Sequence, residues 1–171
     1  MHLNIKRLGS QLILEEGLRL MPYDDATGYP VKPGGSCRGK LTIGVGRNLD
    51  GNPLTNAERA AIGHDGRTRP ITHDQAFMLL DNDIASVCRA LNHNIPWWEH
   101  LDEIRARVLA DLCFNLGIVK LLAFRHFLSN MRIGDYNAAA NDLVDSLWYS
   151  QVKSRGVRLV AMVRTGEDWT A

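Results

Sequence analysis

Thr72-His73-Asp74-Gln75 fits a capping box, the pairing of side chains that starts a helix. Behind it, Ala76, Leu79, Leu80, Asp83, Ile84, Val87, Cys88 and Leu91 share one stripe, about five turns of helix. Such a helix is long enough to link two lobes, and the chain changes texture on its two sides. Before it, residues 21–55 are rich in Gly, Pro, Asp and Asn around a short β-like run, Leu41-Thr42-Ile43-Gly44-Val45, which predicts irregular hairpins. Thr55-Asn56-Ala57-Glu58 is a second capping box. Beyond residue 91 further helices are expected at about 102–116, 120–132, 135–148 and 154–164, punctuated by Pro96, Gly117 and Gly134. A first helix carries Ile5, Leu8 and Leu12 and ends at Glu15-Glu16-Gly17, with Gly as its C′ residue. The expected fold is α+β and mainly α. A small β-hairpin lobe spans about 17–70, and 1–16 with about 92–171 form a larger helical lobe. Helix 72–91 joins the two, with a cleft between them for a ligand.

Composition narrows the function classes. A net charge of +1 with 45% hydrophobic residues excludes an intrinsically disordered chain and argues against a dedicated nucleic-acid binder. No run of ~18 uncharged apolar residues offers stable membrane insertion. Three cysteines far apart, Cys37, Cys88 and Cys113, suggest a reducing compartment and not a disulfide framework. Cys37 reads as an exposed bystander thiol, Cys88 and Cys113 as core. The start, Met1-His2-Leu3-Asn4-Ile5-Lys6-Arg7, leads into no apolar segment or cleavage site, so no secretory signal is expected. Six scattered histidines with no metal-ligand spacing predict no metal and no cofactor. Asn48-x-Asp50-Gly51-Asn52 reads as a plain turn, and Trp97-Trp98 as a packing corner.

Glu15 and Glu16 break a local rule, because the C-terminus of a helix carries the negative end of its dipole and prefers cations. The same field favours a protonated carboxyl, which a general acid needs. Nine residues later Asp25 lies in the turn-forming stretch Tyr23-Asp24-Asp25-Ala26-Thr27-Gly28-Tyr29. Thr42 then places a hydroxyl on a short strand beside glycines that allow close approach. Acid, base and water-holding hydroxyl in chain order form the kit that glycoside hydrolysis requires.

Taken in order, Glu15-Glu16-Gly17-Leu18-Arg19-Leu20, Tyr23-x-Asp25 and Thr42-Ile43-Gly44-Val45-Gly46 closely resemble the phage-type lysozymes of the T-even phage class. The likeness continues through Ile71-Thr72, Arg107-x6-Phe114-Asn115-Leu116-Gly117, Trp148-Tyr149-x-Gln151 and Arg164-Thr165-Gly166-x-x-Trp169, nearly the whole chain. The resemblance implies a lysozyme-like fold, with Glu16 as general acid, Asp25 as the carboxylate that activates water and Thr42 as its positioning partner. It implies substrate contacts at Phe114, Asn48 and Asp142, the last two where the family carries leucine and asparagine. Arg155 falls where the family pairs an arginine with the catalytic glutamate, and Arg47 and Asp83 fall where it joins the small lobe to the long helix. Twelve residues, Pro30 to Leu41, are inserted where the T-even enzymes run directly on. With Pro30, Pro33, Gly34, Gly35 and Gly39, the insertion reads as a surface loop that carries Lys32, Arg38 and Lys40 and takes no part in folding.

The function so implied is that of a monomeric endolysin or muramidase, cutting the β-1,4 bond between N-acetylmuramic acid and N-acetylglucosamine in bacterial peptidoglycan with inversion. Such an enzyme is expected in the host cytoplasm before lysis and acts at the periplasmic cell wall. Either a separate holin-type protein admits it or it rides in the virion. The alternatives are a lytic transglycosylase, which needs one acid and no activated water, and a non-catalytic cell-wall-binding module.

Overall fold

The computed structural model describes residues 3–32 and 34–169. Met1, His2 and Pro33, used above, lie outside the described residues. Among the described residues the chain is mainly helical, with one small antiparallel sheet, as expected of an α+β lysozyme-like fold. No described helix is long and apolar enough to cross a membrane.

Two compact units divide the chain: Gly9–Asp83, and the remaining described residues. The boundaries fall inside α1 (Ile5–Glu16) and α3 (His73–Asn94), so each of these helices supplies residues to both.

In the Gly9–Asp83 unit the sheet runs β1 (Arg19–Asp24), β2 (Leu41–Gly44), β3 (Arg47–Asn48), in that order. Tyr23 pairs with Thr42 and Asp24 with Leu41, while Thr42 faces Asn48 and Ile43 faces Arg47 on the other side. All of β2 is buried, and the core behind it comprises Leu41, Ile43, Leu49, Leu54, Ile62, Ile71, Ala76 and Leu79. Each fully buried aliphatic side chain contributes about 1.5–3 kcal/mol. Both capping boxes form. Thr55 Oγ1 accepts from Glu58 N–H while Glu58 accepts from Thr55 N–H, opening α2 (Asn56–Ile62). Thr72 and Gln75 exchange the same two bonds ahead of α3.

Val31 and Cys37 pack against that core. The insertion is therefore built into the unit, and Cys37 is half-buried where the sequence suggested an exposed thiol. Flexible-looking Gly and Pro content hid two apolar anchors spaced six residues apart.

The other unit is helical. A 3-10 turn (Pro96–His100) precedes α4 (Glu103–Leu116), α5 (Ile118–Leu122), α6 (Arg125–Ile133), α7 (Tyr136–Val144), α8 (Leu147–Val152) and α9 (Ser154–Thr165). Helix α7 packs on α6 and α9, and α4 on α9. Two expected helices are each two. Phe124 leaves helical geometry at ψ 58° and separates α5 from α6. Ser146 accepts from Tyr149 N–H and starts α8 afresh. Trp98 is buried with its indole N–H on Asn92, which bears out the packing corner.

Candidate active site

Helix α1 ends at Glu16 because Gly17 takes φ 75°, a conformation that costs a glycine little, and returns its N–H to Ile13 O. No basic residue stands in the last turn, so Glu15 and Glu16 meet the helix end as the sequence indicated. Glu16 is half-buried, and its side chain lies against Gly46. A Cβ added to Gly46 would stand 3.0–3.2 Å from Glu16 Oε2, Cγ and Cβ, and Gly46 has φ 67°. Glycine is required there twice over, by conformation and by space.

Asp25 is exposed on the turn that follows β1, and Thr42 is buried on β2. The backbone of one residue, Lys40, joins them. Its N–H donates to Asp25 Oδ1 at 2.6 Å, and its carbonyl accepts from Asp25 N–H at 3.1 Å and from Thr42 Oγ1 at 3.3 Å. Among the described residues Asp25 Oδ2 takes no hydrogen bond. Thr42, having donated its proton to the backbone, keeps its oxygen lone pairs as acceptors.

Tyr23 sits between the two carboxylates electrostatically. Burial pushes its hydroxyl up from the ordinary range; the nearby Arg19 guanidinium opposes this, and the charges of Glu16 and Asp25 add to it. Arg19 lies over the Tyr23 ring at 4.5 Å and donates to Gly28 O, bracing the turn that carries Asp25. Asp50 fixes the start of β2 by accepting Leu41 N–H at 3.1 Å while paired with Arg67. The Arg67 bond first, then the Leu41 N–H, hold Asp50 below the usual carboxylate range.

The remaining residues singled out by sequence occupy varied settings. Asn48 on β3 stands opposite Thr42, and its Oδ1 accepts from Asp50 N–H and Gly51 N–H, so the stretch read as a plain turn is an Asx turn. Phe114 (α4), Asp142 (α7) and Arg155 (α9) belong to the helical unit. Phe114 is half-buried, and Asp142 accepts from Asn130 at 2.8 Å. Arg155 is buried, and its Nε donates at 2.8 Å to Asp111, which has no exposed surface. Sequence reasoning missed Asp111 as the arginine's partner, and it missed the Lys40 backbone, whose role is played by atoms that no residue identity announces.

The Gly9–Asp83 unit contains the expected contact between Arg47 and Asp83, 2.6 Å long and buried, and adds Glu58 as a second carboxylate at 3.0 Å.

Comparison with known proteins concerns the chain as a whole. The family model described as Phage lysozyme matches residues 14–165. The "Pre-baseplate central spike protein Gp5" of Enterobacteria phage T4 is 28% identical over 170 residues, which cover 93% of this chain. The chain spans only 28% of that relative's length. "Probable T4-type lysozyme 1" of Dictyostelium discoideum is 24% identical over 174 residues, covering 95% of this chain and 96% of the relative. "Probable T4-type lysozyme 2" of the same organism matches at the same identity and coverage. With a helix-end glutamate packed on a left-handed glycine, an aspartate and a threonine both bonded to the backbone of Lys40, and a family match running from α1 to the end of α9, the chain belongs to the phage lysozyme family.

Proposed function

We propose that this protein is a muramidase that hydrolyses the β-1,4 bond between N-acetylmuramic acid and N-acetylglucosamine in bacterial peptidoglycan. The observation that carries the reading is the double attachment of Asp25 and Thr42 to the Lys40 backbone. It leaves one carboxylate oxygen and one hydroxyl oxygen as acceptors on residues held by the same backbone, and in this reading the two hold a single water molecule by its two protons. Glu16 gives its proton to the glycosidic oxygen as the bond to the anomeric carbon breaks and an oxocarbenium-like transition state develops. Water adds to the opposite face, Asp25 takes the proton it loses, and the product begins as the α-anomer. One water is consumed, and the proton on Asp25 returns to Glu16 through solvent.

Phe114, Asn48 and Asp142 serve in this reading as substrate contacts, and Arg155 as a support for the acid. The match to two T4-type lysozymes over 96% of their length supports a lysozyme that acts as a free-standing chain, and an endolysin role in host lysis is part of the same proposal. The match to a central spike protein supports a virion-borne wall hydrolase.

The test is clearance of outer-membrane-stripped bacterial cells by the wild type and by Glu16→Gln. Removing general-acid help reduces turnover at least ~10²-fold, and near-normal turnover in the variant overturns the assignment. A 1,6-anhydro end on the product identifies a transglycosylase instead, and glycan binding without cleavage a wall-binding module.

A further inference from the structure

Asp24 is the acid that the candidate roles leave unused. It adjoins exposed Asp25, yet it is only 5% exposed. Its Oδ1 accepts from Ala26 N–H at 3.0 Å, a local turn bond, and from Gly39 N–H at 2.9 Å. Its Oδ2 accepts from Arg38 N–H at 2.8 Å. Those last two donors lie fourteen and fifteen residues away, in the inserted segment. A turn needs only the first bond; the other two fasten the insertion to the turn.

Gly39 reports the same closeness independently. A Cβ added there would stand 2.0 Å from Asp25 Oδ1 and 2.9 Å from Ala26 N. The next residue is Lys40, whose backbone holds both Asp25 and Thr42. We propose that Asp24 is a positioning residue for the reaction: its buried carboxylate clamps the Arg38–Gly39 backbone onto the Asp25 turn, so that the Lys40 backbone keeps Asp25 and Thr42 in register on one water. The inference rests on the roles given above to Asp25 and Thr42. It makes the insertion a part of the site, with the acid that holds it placed one residue before the base that it serves.

The experiment is a double-mutant cycle on soluble peptidoglycan glycan strands, with kcat, KM and melting measured for each variant. The variants are Asp24→Ala, Asp24→Asn, Asp25→Asn and the Asp24→Asn/Asp25→Asn double. Loss of the clamp is expected to lower kcat by about 10–100-fold in Asp24→Ala, the scale of an ångström's misplacement, with KM within about threefold. Asp24→Asn keeps one accepting oxygen and falls between wild type and Asp24→Ala. It carries the test if the alanine variant does not fold. On the Asp25→Asn background the Asp24→Asn change has no further effect beyond about twofold, because Asp24 acts through a carboxylate already removed. Additive losses in the double variant, or full turnover in folded Asp24→Ala or Asp24→Asn, overturn the proposal. Full activity of Asp25→Asn alone overturns the reading of the site and this inference with it. An inactive Asp25→Asn beside fully active Asp24 variants overturns the inference alone.

Discussion

A guanidinium at 4% exposure persists only where acceptors meet its N–H groups, and Arg47 meets four. Nε donates to Asn52 O, Nη1 to Asp83, and Nη2 to Glu58 and Pro53 O. The two carboxylates are not equivalent. Burial pushes Asp83 above the usual carboxylate range in spite of Arg47 and Asn52. Burial acts on Glu58 too, but the Thr55 N–H, the Asn82 amide and Arg47 outweigh it and hold Glu58 low. The signs therefore differ. Glu58 supplies stability that is present above its unfolded value near 4.5 and lost as pH falls through its folded value. For Asp83 folding favours the neutral form more than the unfolded chain does, so stability is lost as pH rises from its unfolded value near 3.8 through its folded value. Both Arg47 and Asn52 donate to Asp83 Oδ1, an acceptor that an asparagine retains. Asp83→Asn is thus expected to cost less than about 1 kcal/mol, and Glu58→Gln about 1–3 kcal/mol. Chemical denaturation at pH 7 measures both, and a larger loss in Asp83→Asn contradicts this account. The sequence anticipated the Arg47–Asp83 contact from family likeness, but Glu58 was legible only as the third position of a capping box. Nothing local told that the same carboxylate would also reach a buried arginine eleven residues back.

Legibility at the scale of elements followed the range of the interactions. The capping boxes, the helix end at Gly17 and the strand at Leu41–Gly44 depend on contacts within a few residues, and their sequence signals matched the structure. Glu16 and Thr42 could be singled out because each breaks or marks a local pattern, and Asp25 because Tyr23-x-Asp25 resembles the family. Asp24 could not be told from Asp25, because its burial depends on Arg38 and Gly39 across the insertion. The insertion itself was misread for the same reason. Replacing it by a direct Tyr29–Thr42 turn strips Leu41, Val31 and Cys37 from the core, takes the Lys40 backbone from Asp25 and Thr42, and removes the donors that hold Asp24 low, foremost Arg38 N–H. Losing about 3–5 kcal/mol of apolar packing lowers the melting point by about 6–20 °C in a chain of this size. The excised protein is expected to melt in that lower range by calorimetry and to lose turnover together with the clamp. An unchanged melting point would return the insertion to the surface loop that its composition suggested.

Charge is uneven at the scale of the whole molecule, although its net value is only +1. The Gly9–Asp83 unit, which carries both candidate carboxylates, holds eight Lys and Arg against ten Asp and Glu, while the rest of the chain holds twelve against nine. On the proposed function, attraction to an anionic wall would therefore not come from the unit that carries those carboxylates. The attraction falls to the helical unit, where residues 147–164 include Lys153, Arg155, Arg158 and Arg164 and no acid. Arg155 is committed to Asp111, but Lys153 and Arg164 are exposed. Exposed charges act over a Debye length of about 10 Å at 0.1 M salt and about 3 Å at 1 M. Removing two of them in Lys153→Gln/Arg164→Gln should slow clearance of intact cell walls by roughly two- to fivefold at low salt, through association and not through bond cleavage. The deficit should vanish as salt rises toward 1 M, and turnover of short, uncharged chitin-type oligosaccharides should be equal in the two proteins. A deficit that persists at high salt, or that appears equally on the uncharged substrate, would mean that these cations serve the helical unit's own folding and not its approach to the wall.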